Sequence, residues 1–241
     1  MEVLLQRMSW VKARDYFKDN DVAILPVGSN EQHGPQNPLG TDHLIAKAIA
    51  EETSGHTGVL CLPVIPYGVS SHHKQFWGTI FLSPATLKAY VKEVCLSLVY
   101  YGVTKIVVVN GHGGNLHALL EMSRELRQKG VFVSVFQWWD SVNEVLPSLF
   151  EEEEKGHAAA EETSVNLALH PNIVDMGKAV DVVDMSKAVD EYARSGVSGR
   201  STSASAEKGR KVFEAVVNRL VEYVKLVQAS KIEDLLEKSK V

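Results

Sequence analysis

The chain has 241 residues, 45% of them hydrophobic, enough for one large domain or two small ones with an ordinary core. Its 25 basic residues against 30 acidic ones give a formal charge of −5, which argues against a nucleic-acid partner, where a basic patch is expected. No stretch reaches the roughly eighteen uninterrupted apolar residues of a membrane span, and Met1-Glu2-Val3-Leu4-Leu5-Gln6-Arg7 lacks the basic segment and long apolar core of a secretory signal, so the expected compartment is the cytoplasm.

Ser9 is a candidate N-cap for a helix carrying Trp10, Val11, Tyr16 and Phe17. Val22 to Val27 is a short apolar run of the kind that fills a buried parallel strand. It opens into Ser29-Asn30-Glu31-Gln32-His33-Gly34-Pro35, where extended chain puts Glu31 and His33 on one face and Gln32 on the other. Two prolines and two glycines between Gly34 and Gly40 force a turn that can return Asp42 beside this pair. Thr41 or Asp42 then caps a helix through Leu44, Ile45, Ala48 and Ile49, ending near Gly55. Any one of these residues alone reads better as part of a polar loop. Three metal-ligand types at the carboxyl end of a core strand favour a metal site.

Val59 to Pro66 reads as a second strand, with Pro63 marking an edge position or an interruption. Tyr67 to Thr79 is polar and aromatic and is preferred as a substrate-facing loop over a solvated one, with His73 its candidate substrate contact. His72 and His73 are adjacent and are not expected to hold one ion together. Ser83-Pro84 opens a helix through Leu87, Tyr90, Val91, Val94, Cys95, Leu98 and Val99, closed by Gly102, whose spacing of three and four is that of core packing. Lys105 to Val109 is the clearest strand. It runs into Asn110-Gly111-His112-Gly113-Gly114-Asn115 and a helix from about Leu116 to Lys129. A strand from Val131 to Phe136 ends at Gln137-Trp138-Trp139-Asp140, and Trp139 is a second candidate substrate contact. Cys61 and Cys95 sit in apolar company and read as buried free thiols.

This alternation of strand and helix predicts a parallel sheet covered on both faces, with ligands beyond the carboxyl ends of the strands. Both the Glu31 loop and the His112 loop emerge there. The glycines around His112 allow a phosphate-cradling turn, but Gly111, Gly113 and Leu116 do not complete Gly-x-Gly-x-x-Gly. The preferred reading is that Gly113 and Gly114 clear room for His112 and a substrate to approach an ion. Beyond Asp140 the pattern loosens. Glu151 to Glu154 reads as a solvated face, and His157 to Ser164 leads into a helix. Val174-Asp175-Met176-Gly177-Lys178-Ala179-Val180 is echoed by Val183-Asp184-Met185-Ser186-Lys187-Ala188-Val189, too short a period for a solenoid, and is read as irregular. Gly196 to Ala206 is a Ser/Gly-rich loop, and Glu207 to the end is one long amphipathic helix or two. No domain boundary stands out, so residues 1–241 are read as a single domain.

Glu31-x-His33-Gly34-Pro35 with Thr41-Asp42, Asn110-Gly111-His112-Gly113-Gly114-Asn115, and His157-Ala158-x-x-x-Glu162-Thr163-Ser164 resemble the signature blocks of the creatininase (creatinine amidohydrolase) family, over about Ser9 to Gly209. The resemblance implies a three-layer α/β/α sandwich with a mostly parallel central sheet and two divalent metal ions (zinc, manganese or iron). It implies hydrolysis of a non-peptide amide C–N bond, in a cyclic amide or formamide, by a hydroxide bridging the ions. It also implies a homo-oligomer, often a hexamer. Carried over residue by residue, Glu31, His33, Asp42, His112 and Glu162 become ligands with Asp42 bridging, which leaves three protein ligands and an open position per ion. His157 becomes the group that takes the water's proton and passes it to the leaving nitrogen.

The chain departs from creatininase in places that bear on substrate. Gly114 stands where creatininase has a glutamate, and in relatives with Gly-Gly there the later glutamate, here Glu162, takes that role. Glu161, at i+4 from His157 on a regular helix, competes for it. Glu153 replaces a substrate-closing tryptophan and Gln36 a second histidine, which argues against creatinine itself. The alternatives are a formylamino-pyrimidine nucleotide deformylase of flavin or deazaflavin synthesis and a non-catalytic nucleotide-binding α/β module.

Overall fold

The computed structural model describes residues 2–184 and 188–238. The chain runs through α1 (Trp10–Asp19), β1 (Val22–Val27), α2 (Thr41–Thr57), β2 (Leu60–Cys61), α3 (Pro84–Tyr100), β3 (Lys105–Asn110), α4 (Leu116–Arg127) and β4 (Phe132–Gln137). These four strands form one all-parallel sheet in the order β2-β1-β3-β4. Every residue of β1 and β3 is buried, the physical reason that Val22–Val27 and 106–109 read as apolar runs. Alternate residues serve opposite faces. Val22, Ile24, Val107 and Val109 pack with Ile45 and Ile49 of α2. Ala23, Leu25, Ile106 and Val108 pack with Leu87 and Val91 of α3 and with Leu119 and Met122 of α4. The result is the expected three-layer α/β/α arrangement.

Local chemistry sets the element ends. Ser9 Oγ accepts from Lys12 N at 3.4 Å to start α1, and Ser83 Oγ accepts from Thr86 N at 3.2 Å to start α3, with Pro84 in its first turn. Pro63 does mark both an edge and an interruption: β2 is the edge strand and ends at Cys61. Pro26 is tolerated in a central strand for a related reason. Gly28 N donates to Ile65 O, and Leu62 N and Ile65 N donate to Ile24 O and Pro26 O. Pro26's missing N–H therefore falls on the side where the neighbouring chain has already left the ladder. Tyr16 closes the same edge from α1. Its hydroxyl donates to Val22 O at 3.0 Å and accepts from Leu60 N at 2.9 Å, all buried. Tyr16→Phe would strand both backbone groups and should cost about 1–3 kcal/mol in denaturant unfolding; an unchanged midpoint would mean that they find other partners.

Later elements are α5 (Leu146–Leu149), α6 (Ala160–Leu169), β5 (Asp181–Val182), α7 (Ala188–Ser195), β6 (Gly199–Arg200), α8 (Ala206–Ala229) and α9 (Ile232–Lys238). Val212, Val216, Leu220 and Val224 of α8 join the α2 face of the core, so the carboxyl-terminal region is two helices, the first of which closes the fold. Three expectations need correction. Gly40, not Thr41 or Asp42, is the residue that precedes α2, and Thr41 Oγ1 instead donates to Pro38 O at 2.8 Å. Where irregular chain was expected, β5 pairs antiparallel with β6 and α7 follows; Met185-Ser186-Lys187 of the tandem echo lies outside the described residues. The Glu151–Glu154 run is not simply solvated, because Glu154 is buried and bridges to Lys208 Nζ at 3.1 Å, while Glu151 and Glu153 pair with Arg200. Cys61 and Cys95 are buried and free. Among the described residues no helix is long and apolar enough to cross a membrane.

Candidate metal centre

The register Val27↔Asn110↔Gln137 makes the chain leave β1, β3 and β4 at one level, so three loops share the carboxyl edge of the sheet. Asn115, after β3, ties the loop that follows β1 to the segment that follows β2: its Nδ2 donates to Gly28 O at 3.0 Å and its Oδ1 accepts from Val69 N at 2.9 Å. Gly111 allows α2 to approach, since a Cβ there would lie 2.3 Å from Asp42 O. Gly114 has no room for a side chain either, because its Cβ would meet Val69 O at 2.2 Å and His112 Nε2 at 2.5 Å. By contrast, a Cβ on Gly113 would meet nothing within 4 Å.

Among the described residues four groups of three metal-ligating side chains converge, one of them Glu31, His33 and His157, and two of the four share Asp42. Glu31, Asp42 and His112 converge on one side, and His33, Asp42 and Glu162 on the other. Asp42 Oδ2 lies 3.0 Å from His112 Nδ1, and Asp42 Oδ1 lies 2.9 Å from His33 Nε2. His112 Nε2 is 3.2 Å from Glu31 Oε2, and His33 Nε2 is 3.7 Å from Glu162 Oε2. Glu31 Oε1, His33 Nε2 and Asp42 Oδ2 are buried and make no hydrogen bond. Lone pairs that converge without hydrogen-bond geometry are what a cation site presents, and imidazole with carboxylate suits a divalent transition metal. Glu31 is steadied by Ser29 Oγ, which donates to its Oε2 at 3.0 Å.

The protonation of these groups follows from crowding. Burial opposes charge on His33, but Asp42 and Glu162 beside it overcome that and raise it to about 10. His112 is raised well above the ordinary imidazole value, against burial, by Asp42 and Glu31. Asp42, despite burial, is held below the ordinary carboxylate range by those two imidazoles. Glu162 is pushed up to about 7 by burial and by the charges of Asp42 and Glu31. Like charges gathered in a dry site are a burden that cations relieve.

His157 precedes α6 and is therefore free of its periodicity. Its ring lies 4.5 Å from that of His33, centroid to centroid, and stacks 4.6 Å from that of His73. Burial, then the charges of His33 and His73, lower it well below the ordinary value. The turn that presents it is strained: Ala158 has φ 57°, in the left-handed region. That conformation aims Ala158 N at Glu162 Oε2 (2.7 Å) and Ala158 O at Gln36 Nε2, which donates to it at 2.8 Å. Gln36 thus braces the His157 turn.

Gln32 does not point away, as period-two alternation predicts. Only Asn30 of this segment makes a strand-like bridge, to Ile80, so the alternation has no strand to act on. Gln32 Nε2 lies 2.7 Å from His157 Nε2 and 3.1 Å from His73 Nδ1, and donates to Gly196 O at 3.0 Å. The two adjacent histidines also differ from expectation. The tight turn Ser71–His73 brings their rings to 4.1 Å, and both reach Glu31 closely enough to form a further ligand group with it. A cleft of about 420 Å³ opens over the centre, and His73, Gly113, Gly114, Trp139, His157, Glu161 and Glu162 are among its walls. Trp138 and Tyr192 also line it, and no motif marked either one. Tyr192 reaches in from α7, its hydroxyl 3.1 Å from His73 Nδ1. A larger, mostly apolar groove of about 690 Å³ runs along Trp10, Phe17, Val94 and Tyr101 and holds none of these groups.

The sequence profile of the family described as creatinine amidohydrolase (creatininase) matches residues 6–224. The creatinine amidohydrolase of Pseudomonas putida is 32% identical over 92% of this chain and 96% of its own length. A mycofactocin precursor peptide peptidase of Mycobacterium ulcerans is 32% identical over 82% of each chain. Among solved structures, a mutant creatininase of Zn-Zn type superposes with a TM-score of 0.82 at 26% identity, covering 95% of this chain and 100% of that one. A manganese creatininase superposes with a TM-score of 0.81 at 26% identity and the same coverage.

Proposed function

Because the chain belongs to the creatininase family, we propose that it is a metal-dependent hydrolase of a carbon–nitrogen amide bond outside peptides. The observation that carries the reading is the pair of ligand groups joined at Asp42. Glu31, Asp42 and His112 would hold one divalent ion, and His33, Asp42 and Glu162 the other, with zinc, manganese and iron all suited to these donors. Two such ions supply Lewis acidity toward a carbonyl oxygen and lower the pKa of a water.

The chain's own residues supply the rest. His157 belongs to neither group that contains Asp42, although it forms one with Glu31 and His33, and its surroundings hold it neutral, so it can receive the proton that the attacking water gives up and return it to the departing nitrogen. Gln32 holds its direction in either tautomer: Nε2 accepts from the Gln32 side-chain amide at 2.7 Å when unprotonated, or donates to the Gln32 backbone oxygen at 3.0 Å when it carries the proton. Trp138 and Trp139 form an apolar wall of the cleft, and the open space at Gly113 lies beside His112. The buried free thiols of Cys61 and Cys95 agree with a reducing compartment such as the cytoplasm.

Elemental analysis after reconstitution should find about two equivalents of divalent metal per chain. Chelation should then lower the unfolding temperature, since ligand at a hundred times its Kd stabilises by about 2.7 kcal/mol per site. Turnover should be sought with the reconstituted enzyme on formamides, lactams, creatinine and short peptides. A protein that binds no metal yet hydrolyses any of these would end the two-metal reading.

A further inference from the structure

His72 and His73 are left unused by the two positions joined at Asp42. The three-residue turn Ser71–His73 sets their rings 4.1 Å apart, and both line the cleft. With Glu31 they form a ligand group in which only Glu31 also serves a position joined at Asp42. The two oxygens of Glu31 have different surroundings. Oε2 accepts from Ser29 Oγ at 3.0 Å and lies 3.2 Å from His112 Nε2. Oε1 is buried, makes no hydrogen bond and lies 3.5 Å from His73 Nε2. That gap is longer than an N–H···O bond, about 2.7–3.2 Å. It is close to the spacing of two ligands on one tetrahedral ion, about 3.3 Å when each is about 2.0 Å from the metal. A carboxylate with one oxygen on each side can serve two ions.

Support for the ring and a way in are present as well. The far nitrogen of His73, Nδ1, is 3.1 Å from the Tyr192 hydroxyl and 3.1 Å from Gln32 Nε2, so the ring is held from behind with Nε2 turned to Glu31. His72 is exposed, lies nearly parallel to the His112 ring at 5.9 Å between centroids, and its ring nitrogens make no hydrogen bond among the described residues. It gives an ion an entry path. The other group without Asp42 lacks this freedom, because His157 Nε2 is engaged by Gln32 at 2.7 Å. We propose that Glu31, His72 and His73 form a third cation position, which fills with zinc after the two joined at Asp42. Two imidazoles and one carboxylate favour zinc over manganese. Glu31 shares its charge with a neighbouring ion and His72 is open to solvent, so this ion binds last and leaves first. The inference rests on the two-metal reading, since it takes those two positions as filled.

The test is zinc content after equilibrium dialysis against a series of buffered free zinc concentrations. Wild type should hold two equivalents at low free zinc, gain a third at higher free zinc, and lose it again on return to the low concentration. In His72→Ala the first two should bind as before. The third step should move up by about a hundredfold or vanish, since even a lost partner that only orients a ligand costs about 10–100-fold. His73→Ala should lose the same step. Zinc held by an exposed helical pair such as His117 and Glu121, 3.4 Å apart, would respond to neither change. The same dialysis with manganese should stop at two equivalents. The inference fails if wild type shows no third step, if that step is unmoved in His72→Ala, or if manganese gives it equally. Fewer than two tight equivalents in wild type would instead overturn the two-metal reading, and this inference with it.

Discussion

Asp42→Ala is expected to empty both metal positions and to abolish turnover, while Glu31→Ala should empty mainly one. The asymmetry comes from geometry. Asp42 presents Oδ1 to His33 at 2.9 Å and Oδ2 to His112 at 3.0 Å, so it is the one residue common to both ligand groups. Removing a partner that only orients a ligand costs about 10–100-fold in affinity or activity, and loss of a shared ligand should exceed that at both positions. Asp42 also lies in the first turn of α2, where a carboxylate gains about 0.3–1 kcal/mol from the helix dipole. That contribution is small, so a folded variant with little metal is the expected product. Metal content, circular dichroism and turnover measured on one preparation decide the matter. Equal and mild effects from the two substitutions would reduce Asp42 to a residue that merely starts a helix.

The parts of this arrangement that could be read in advance share a physical cause. Val22–Val27 and Lys105–Asn110 are buried on both faces, and such burial writes itself as an apolar run. Their loops carry the ligand types next to glycine and proline, so the edge of the sheet that gathers the ligand groups is legible too. Other parts depend on distant contacts that leave no local pattern. Tyr192 meets His73 across 119 positions of sequence, from a helix that follows residues with no clear periodicity. Glu154 is buried because Lys208, 54 positions on, bridges to it; four carboxylates in a row otherwise look like a wet surface. Gln32 was misplaced because alternation presumes a strand, and residues 28–33 are held by side-chain and bridge contacts instead. His72 and His73 were separated on the same kind of reasoning, which a turn of three residues defeats.

His157→Ala should leave both metal equivalents in place and cut turnover by about a hundred-fold or more, the usual size of a lost general acid–base. A hundred-fold is about 2.7 kcal/mol of barrier. The residue lies outside the two groups joined at Asp42, stacks on His73, and is presented by the strained backbone of Ala158 before α6 begins. Strain of this kind persists only where the surroundings enforce it, and here Gln36 and Glu162 hold Ala158 from its two sides. Glu162 therefore has two connections, one toward His33 and one to the turn that carries His157. Glu162→Ala is expected to lose an ion and also to loosen His157, so its turnover should fall below that of His157→Ala. Full metal occupancy in Glu162→Ala would remove it from the ligand set and leave only its role in the turn. Depleted metal in His157→Ala would mean that the imidazole holds an ion, in keeping with its closeness to Glu31 and His33, and another group would then have to move the proton.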